Sequence, residues 1–431
     1  MSIYDNAGVV QIPSGTKASK LYSVLPANGE GDFNATRGSS ATRVNKDGLI
    51  ESVATNVPRL DYPLIDGVVK DCPALLLEPS RTNTFQRSEE FDNAYWNTSR
   101  IETPSKDGVV DPTGGLDAYT LEMSTGQTSG GGVYRTGISV SGSNSFSVFA
   151  KKGNIDYLVL GDGGLDSSQN AVYFNLSNGT VGTEYQNAVG EMQDFGNGWY
   201  RCTMKYTETS SDPKFIYVTN VNGQTANSVT GGDYIYIWGA QYEQASYPTS
   251  YIPTSASTAT RSADVCNGSG TSAEFNDSEG VLFAEIAAFD TNVGNARIGI
   301  DKASSGSSER VGIGFTTTTN QIQAFISRSS TQANILSTVS DITTFNKIAF
   351  KYKVNDFSLF INGTKVGTDT SGNVPIGLDE LSFDDNDGVI FYGKSKQLST
   401  FKTALTDSEL ETLTSWDSFN AMAKGQLYTI E

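Results

Sequence analysis

The residues best placed to do chemistry in this chain are aromatic. Tyr234, Tyr236 and Trp238 alternate with Ile235, Ile237 and Gly239. A period of two puts the three large rings on one strand face and the smaller residues on the other. A row of rings on a rigid sheet can take the C–H face of a sugar, with Asn, Asp or Gln supplying hydrogen bonds. The same row can instead fill a β-sandwich interior, or belong to the strand that closes one module before the next begins. Trp238, and Trp199 between Gly198 and Tyr200, are expected in a core. Trp96, beside Asn97 and a polar turn, is expected at the surface.

Other chemistry is scarcer. The chain has no histidine, which excludes Ser-His-Asp and Cys-His catalysis and most zinc sites. Cys72, Cys202 and Cys266 are odd in number and far apart, so a reducing compartment fits better than a disulfide framework. Acids are plentiful, but they fall in turns, and no facing carboxylate pair stands out for glycoside hydrolysis. No long β-helical period is visible either. The expectation is therefore a protein that is not an enzyme. Asp384-Asp385-Asn386-Asp387-Gly388 crowds oxygen ligands without the downstream acid of an EF-hand, and reads as an acidic turn. Gly161-Asp162-Gly163-Gly164 precedes no helix with a Lys-Ser/Thr pair, so it is a turn and not a phosphate loop.

Charge narrows the partners. Lys and Arg number 30 against 48 Asp and Glu, a net −18. Such a surface repels phosphate backbones and anionic bilayers, so neither nucleic acid nor membrane insertion is expected. No run approaches the ~18 apolar residues of a membrane helix, and the start lacks the basic and apolar regions of a signal peptide.

The elements that must position these residues are short strands. Glycine is abundant (44 residues) and few apolar patterns have a helical period, which favours antiparallel sandwiches. Residues 85–254 offer eight strands, at 117–123, 132–140, 145–152, 156–160, 171–176, 198–206, 214–220 and 233–240. Eight strands at this spacing predict a jelly roll. Residues 263–431 offer a second sandwich, with strands at 280–289, 296–302, 310–316, 321–327, 347–354, 357–361, 364–368, 388–393 and 395–401. A capping box at Thr406-Asp407-Ser408-Glu409 starts a short helix running to about 414. Between the modules, Pro248, Pro253 and the small polar run at 255–262 read as a linker. Residues 1–84 contain a hairpin around Asn45-Lys46-Asp47-Gly48, four prolines from Pro58 to Pro79, and the apolar run Leu75-Leu76-Leu77, which must be buried on something. An arm that anchors the chain on a neighbour fits them better than a compact domain. The fold class is all-β: an extended N-terminal arm followed by two antiparallel β-sandwiches.

Several stretches resemble known families. Residues 83–96 (NTFQRSEEFDNAYW), Gly198-Trp199-Tyr200-Arg201-Cys202, residues 236–243 (YIWGAQYE), 249–254 (TSYIPT) and 259–264 (ATRSAD) resemble a carbohydrate-binding-module-like jelly roll found in bacteriophage virion proteins. Residues 31–58 and 72–83 resemble the leader that precedes it. Residues 345–368 and 394–413 resemble a concanavalin-A-like or laminin-G-like sandwich. The resemblance implies a homotrimeric virion fibre or appendage protein, in the head or the tail. It implies an arm bound to other virion proteins, assembly in the host cytoplasm, and modules facing a host cell-surface glycan. It places a carbohydrate platform on Trp96, Tyr234, Tyr236 and Trp238. It also suggests a structural Ca2+ where the ends of the jelly roll meet, at Glu89 and Asp92 with Glu243. A purely structural spacer and a capsular polysaccharide depolymerase are the alternatives.

Overall fold

The computed structural model describes residues 3–138, 140–208 and 213–415. The outer ends of the first and last expected segments, 1–2 and 416–431, lie outside the described residues, as does position 139 in the expected strand 132–140. Among the described residues the protein is all-β apart from two 3-10 turns and the short helix Asp407–Thr414. That helix carries the expected capping box, with Thr406 and Glu409 bonded reciprocally.

Residues 85–254 form the jelly roll. One sheet holds Tyr119–Glu122, Tyr234–Glu243, Gly142–Lys152 and Trp199–Glu208, the first, eighth, third and sixth of the expected strands, in that spatial order. The other holds Gly131–Arg135, Lys214–Thr219, Tyr157–Asp162 and Asn170–Asn175, the second, seventh, fourth and fifth. Alternate residues of both sheets fill the interior, with Phe146, Val148, Leu158, Phe174, Ile216 and Ile237 all 0% exposed. Sequence reasoning missed Asn97–Ser99 and Thr180–Tyr185 in the second sheet, and Val189–Gly196 in the first. Thr180–Tyr185 and Val189–Gly196 are edge strands of half-buried, mixed residues, so their apolar alternation is weak.

The second sandwich is built from both ends of the chain. Its larger sheet runs Thr364–Asp369, Phe357–Ile361, Asn346–Lys353, Glu279–Ala287, Gly393–Phe401, Ala74–Leu77, Arg59–Asp61, and Ala7–Gln11 also pairs with Gly393–Phe401. The facing sheet runs Ser330–Thr338, Gln321–Arg328, Glu309–Phe315, Ala296–Asp301, Glu380–Ser382. The expected strand 388–393 is instead an irregular approach with one bridge, Ile390 to Arg297. Ser330–Thr338 was missed because only Ala333 and Ile335 point inward and its outward residues, Leu336 apart, are polar.

These pairings correct two expectations. Residues 1–84 are not an extended arm: Leu75 and Leu77 enter the core of the second sandwich beside Leu398 and Ile286. Leu75-Leu76-Leu77 finds its burial within its own chain. Nor is 255–262 a free tether, because Ala259–Arg261 pairs with Arg81–Asn83. The jelly roll is thus an insertion in a sandwich formed by what precedes and follows it, and those two short strands are its neck.

Below the neck lies a buried ion network. Arg59 donates from Nη1 to Glu78 Oε2 at 2.7 Å and from Nη2 to Asp264 Oδ2. Arg261 lies 3.0 Å from the same Glu78 oxygen, and Arg37 donates to Asp264 Oδ1 at 2.9 Å. All five side chains are 6% exposed or less. Burial alone would raise the Glu78 carboxyl, but Arg261, Arg59 and the Ser250 amide and hydroxyl bonded to it hold it well below the usual carboxylate range.

Two outcomes follow. Arg59→Ala strips a buried carboxylate pair of its shared cation and lowers stability by roughly 3–5 kcal/mol, read from urea unfolding followed by circular dichroism. Residues 85–254 expressed alone give a cooperative thermal transition, whereas residues 263–431 alone, lacking the strands at 7–11, 59–61 and 74–77, give none.

Candidate functional site on the roofed sheet face

In Tyr234–Glu243, Ile235 and Ile237 point into the sandwich while Tyr236 and Trp238 point to the outer face. Gly239 then breaks the alternation. It sits at φ +62 opposite the register shift between Ser147 and Phe149, so Ala240 and Tyr242 return to the interior. A side chain there would also meet the rings of Phe149 and Tyr251 at 3.1 and 3.2 Å. The neighbouring strands add Phe149, Trp199 and Phe195 to this outer face. Arg201 and Thr203, two and four residues after Trp199, share its side of the strand.

The face is roofed by another part of the chain. The hairpin of Ala41–Val44 and Ile50–Val53 lies across it, with Ile50 in contact with the rings. The hairpin turn is fixed by Asn45 Oδ1, which accepts from Asp47 N and Leu49 N at 2.9 and 3.0 Å, and by Gly48 at φ +79. Thr42 Oγ1 donates to the Tyr251 carbonyl at 2.6 Å, Ile50 N to the Pro112 carbonyl at 2.9 Å, and Trp199 Nε1 to the Val110 carbonyl at 2.8 Å.

The roof leaves two cavities. One, of about 510 Å³, lies over Trp199 and Lys151 beside the hairpin tip. The other, of about 340 Å³, has Phe149, Phe195 and Tyr251 as aromatic lining and Arg43, Asp61, Glu191, Gln193, Arg201 and Lys394 as polar lining, with Phe289 and Thr343 from the second sandwich. All three parts of the chain meet here. Arg201 stacks 5.5 Å from the Phe149 ring centre and donates from Nη2 and Nε to Ser147 Oγ at 3.1 and 3.3 Å. Burial pulls its guanidinium below the usual arginine range, against the fields of Glu243, Glu78 and Glu191. Burial likewise pushes the Tyr251 phenol up, with Glu89 adding to the effect.

The expected platform residues do not form an open platform. Trp238 is 2% exposed, packed on Tyr251 at 4.7 Å and Phe149 at 5.4 Å between ring centres. Tyr234 and Tyr236 are half-buried and meet edge to face at 5.4 Å. Trp96 is not at the surface. It is 4% exposed, lies 5.0 Å from Phe85 and 5.3 Å from Phe91, and donates from Nε1 to the Arg87 carbonyl at 2.9 Å. The segment after Phe91 turns back and uses the indole to plug one end of the sandwich. Sequence reasoning missed Phe149, Phe195 and Arg201. The signal lay in Ser147-Val148-Phe149-Ala150, apolar on both faces, and in an arginine two residues after Trp199 in mid-strand. It also missed a second aromatic row, Tyr134, Tyr157, Tyr173, Tyr185, Phe215 and Tyr217, on the outer face of the other sheet.

The proposed calcium carboxylates are likewise not brought together. The ends of the jelly roll do meet, since Thr84 N donates to the Tyr242 carbonyl and Ala240 N to the Ser88 carbonyl, both at 2.9 Å. Each acid, however, is committed elsewhere. Glu243 accepts from Gln241 Nε2, Thr249 N and Thr249 Oγ1, Asp92 from Tyr119 Oη at 2.8 Å, and Glu89 from Tyr251. Among the described residues no group of three or more His, Cys, Asp or Glu is placed to hold a metal ion. In the turn at 384–388, Asp385 is taken by Arg297 and Arg310 at 2.9 and 2.8 Å. Near it, Asp301 is 2% exposed and its Oδ2 has no hydrogen-bond partner among the described residues. Burial, with repulsion from Glu380, Asp384, Asp379 and Asp385, pushes its carboxyl up to about 8.

No protein-family model matches the chain, and no curated relative does. Among solved structures, the CBM40 module of a Ruminococcus gnavus IT-sialidase bound to α2,3 sialyllactose is 13% identical, with 33% of this chain and 84% of that one covered, at a TM-score of 0.28. Mouse laminin α1 chain domains LG4-5 are 10% identical over 61% of this chain and 83% of that one, at 0.22. A GH54 α-L-arabinofuranosidase is 10% identical over 83% of this chain and 64% of that one, at 0.27. At these scores the likenesses say nothing about what this chain binds.

The folded state keeps a proton on Asp301 that the unfolded chain, near 3.8, releases. Stability therefore falls as pH rises from about 4 to about 8. Asp301→Asn removes that loss, so its melting temperature exceeds that of the unmodified protein increasingly across this range and matches it at the acid end, measured by calorimetry.

Proposed function

We propose that this protein is a non-catalytic, glycan-binding structural protein of a bacteriophage virion, with its binding site in the cavity of about 340 Å³ on the roofed sheet face. The observation that carries the reading is the lining of that cavity: aromatic rings from Phe149, Phe195 and Tyr251 beside Gln193, Glu191 and Arg201. Sugars are held by C–H faces on rings and by planar polar groups at the edges, and a cavity of this size suits a ligand of one or two rings. The virion setting is supported by the motifs at 83–96, 198–202, 236–243 and 249–264, which resemble phage jelly-roll modules. In that setting the chain acts as a homotrimer docked on other virion proteins. Weak single sites on three copies then add up at a host surface through effective concentration.

A second reading has its own support. Trp238 and Trp199 are each 2% exposed under the roof, and a sheet face closed in this way suits a spacer that binds no glycan.

A glycan array probed with the purified protein separates the two. Binding to a defined subset of envelope glycans supports the first reading, and no binding at any density leaves the spacer. Phe195→Ala removes a half-buried ring from the cavity and weakens glycan affinity roughly five- to tenfold with little change in melting temperature.

A further inference from the structure

The cavity contains an arginine whose charge the fold leaves unmatched. Three cations line it. Arg43 is paired with Glu51 at 2.6 Å, and Lys394 with Asp61 at 2.9 Å. Arg201 has no carboxylate within ion-pair distance among the described residues. Its partners are one hydroxyl, Ser147 Oγ, and the face of Phe149. It is nonetheless 8% exposed, near the start of a strand paired on both sides. A buried guanidinium without an anion is costly, so the position is informative.

The surrounding acids do not supply that anion. Glu243 is saturated by Gln241 and Thr249. Glu78 is held by Arg59, Arg261 and Ser250. Glu191, at the exposed rim of the cavity, reaches Lys205 at 3.2 Å. What is left is a planar cation lying over a phenyl ring and facing a space large enough for a sugar. A neutral sugar would use the rings and leave the guanidinium as it is. A carboxylate would accept two parallel N–H bonds from it in a medium that screens poorly.

We infer that the cavity selects saccharides that carry a carboxylate, as uronic and sialic acids do, and that Arg201 is the residue that recognises it. This rests on the cavity being the glycan site.

The test is calorimetric titration of the full chain with four probes: glucuronic acid, its methyl ester, N-acetylneuraminic acid and glucose. The inference expects the acid to bind tighter than its methyl ester by roughly tenfold or more, with that advantage shrinking as salt rises. Comparing acid and ester needs no variant, so it stands even if a substitution disturbs folding. Arg201→Gln, checked for an unchanged melting curve, is expected to equalise acid and ester. Equal binding of acid, ester and glucose by the unmodified protein overturns carboxylate selection and leaves the glycan reading standing. Binding of none of the four, with no hit on the glycan array, overturns both.

Discussion

The structure depends on a set of charges that water does not reach. Arg59 bridges Glu78 and Asp264, and Arg37 and Arg261 complete the set from either side of the jelly roll in sequence. Ions in a medium of low polarisability attract strongly but cost several kcal/mol each to dehydrate, so the net gain depends on geometry. Here the geometry is nearly complete, because Ser250 and the Glu78 amide fill the remaining carboxylate positions. The network's main effect is specificity of arrangement. Its members come from residues 37, 59, 78, 261 and 264, and they meet only when the chain leaving the jelly roll lies beside the chain entering it. Apolar side chains of similar volume would fill the space equally well but would tolerate other alignments of the neck.

That alignment in turn places the roof. Glu78 accepts from Ser250 on one side and pairs with Arg59 on the other, while Arg59 donates to the Thr42 carbonyl at 3.0 Å. The loop at 248–251 and the hairpin strand Ala41–Val44 are therefore held by the same ions. Between them they turn the aromatic sheet face into two closed-in cavities. A flat row of rings would bind many apolar partners indiscriminately, whereas a roofed one admits only what fits.

Much of the architecture was legible in the sequence. The eight expected strands of the jelly roll were readable because each is a run of apolar and aromatic residues bounded by turn residues, with a period of two where one face differs from the other, as in Ile235 and Ile237 against Tyr236 and Trp238. The helix at 407–414 announced itself through Thr406 and Glu409. The rest depends on pairings that local pattern does not encode. Leu75-Leu76-Leu77 is plainly apolar, yet nothing near it says that its partners are Lys394 and Ser395, more than 300 positions away. The stretch 255–262 reads as a tether because Ser, Thr and Ala carry little signal, and Arg261 looks like a surface charge until Glu78 is placed beside it. For the site, the shared face of Tyr234, Tyr236 and Trp238 and the burial of Trp238 were readable, but what covers that face was not, since the cover comes from the hairpin at 41–53. Trp96 failed for the opposite reason: its polar neighbours look like surface, but Asn93 fixes the turn that folds the indole inward and Asn97 opens a strand.

The insertion of one module inside another also sets a timetable. Ala7–Gln11 leaves the ribosome before the jelly roll, but it pairs with Gly393–Phe401, which is synthesised after the jelly roll. Ala74–Leu77 waits for the same strand. The jelly roll, whose strands all lie between residues 85 and 254, can close while the rest of the chain is still being made. Until the strands that follow the jelly roll appear, those that precede it have unpaired edges and exposed leucines, the state in which β-rich chains pair with the wrong partner. Pairings this distant in sequence also close slowly. The order of synthesis and the order of assembly run in opposite directions for the second sandwich, and a chaperone or a neighbouring copy has its longest opportunity to act during that interval.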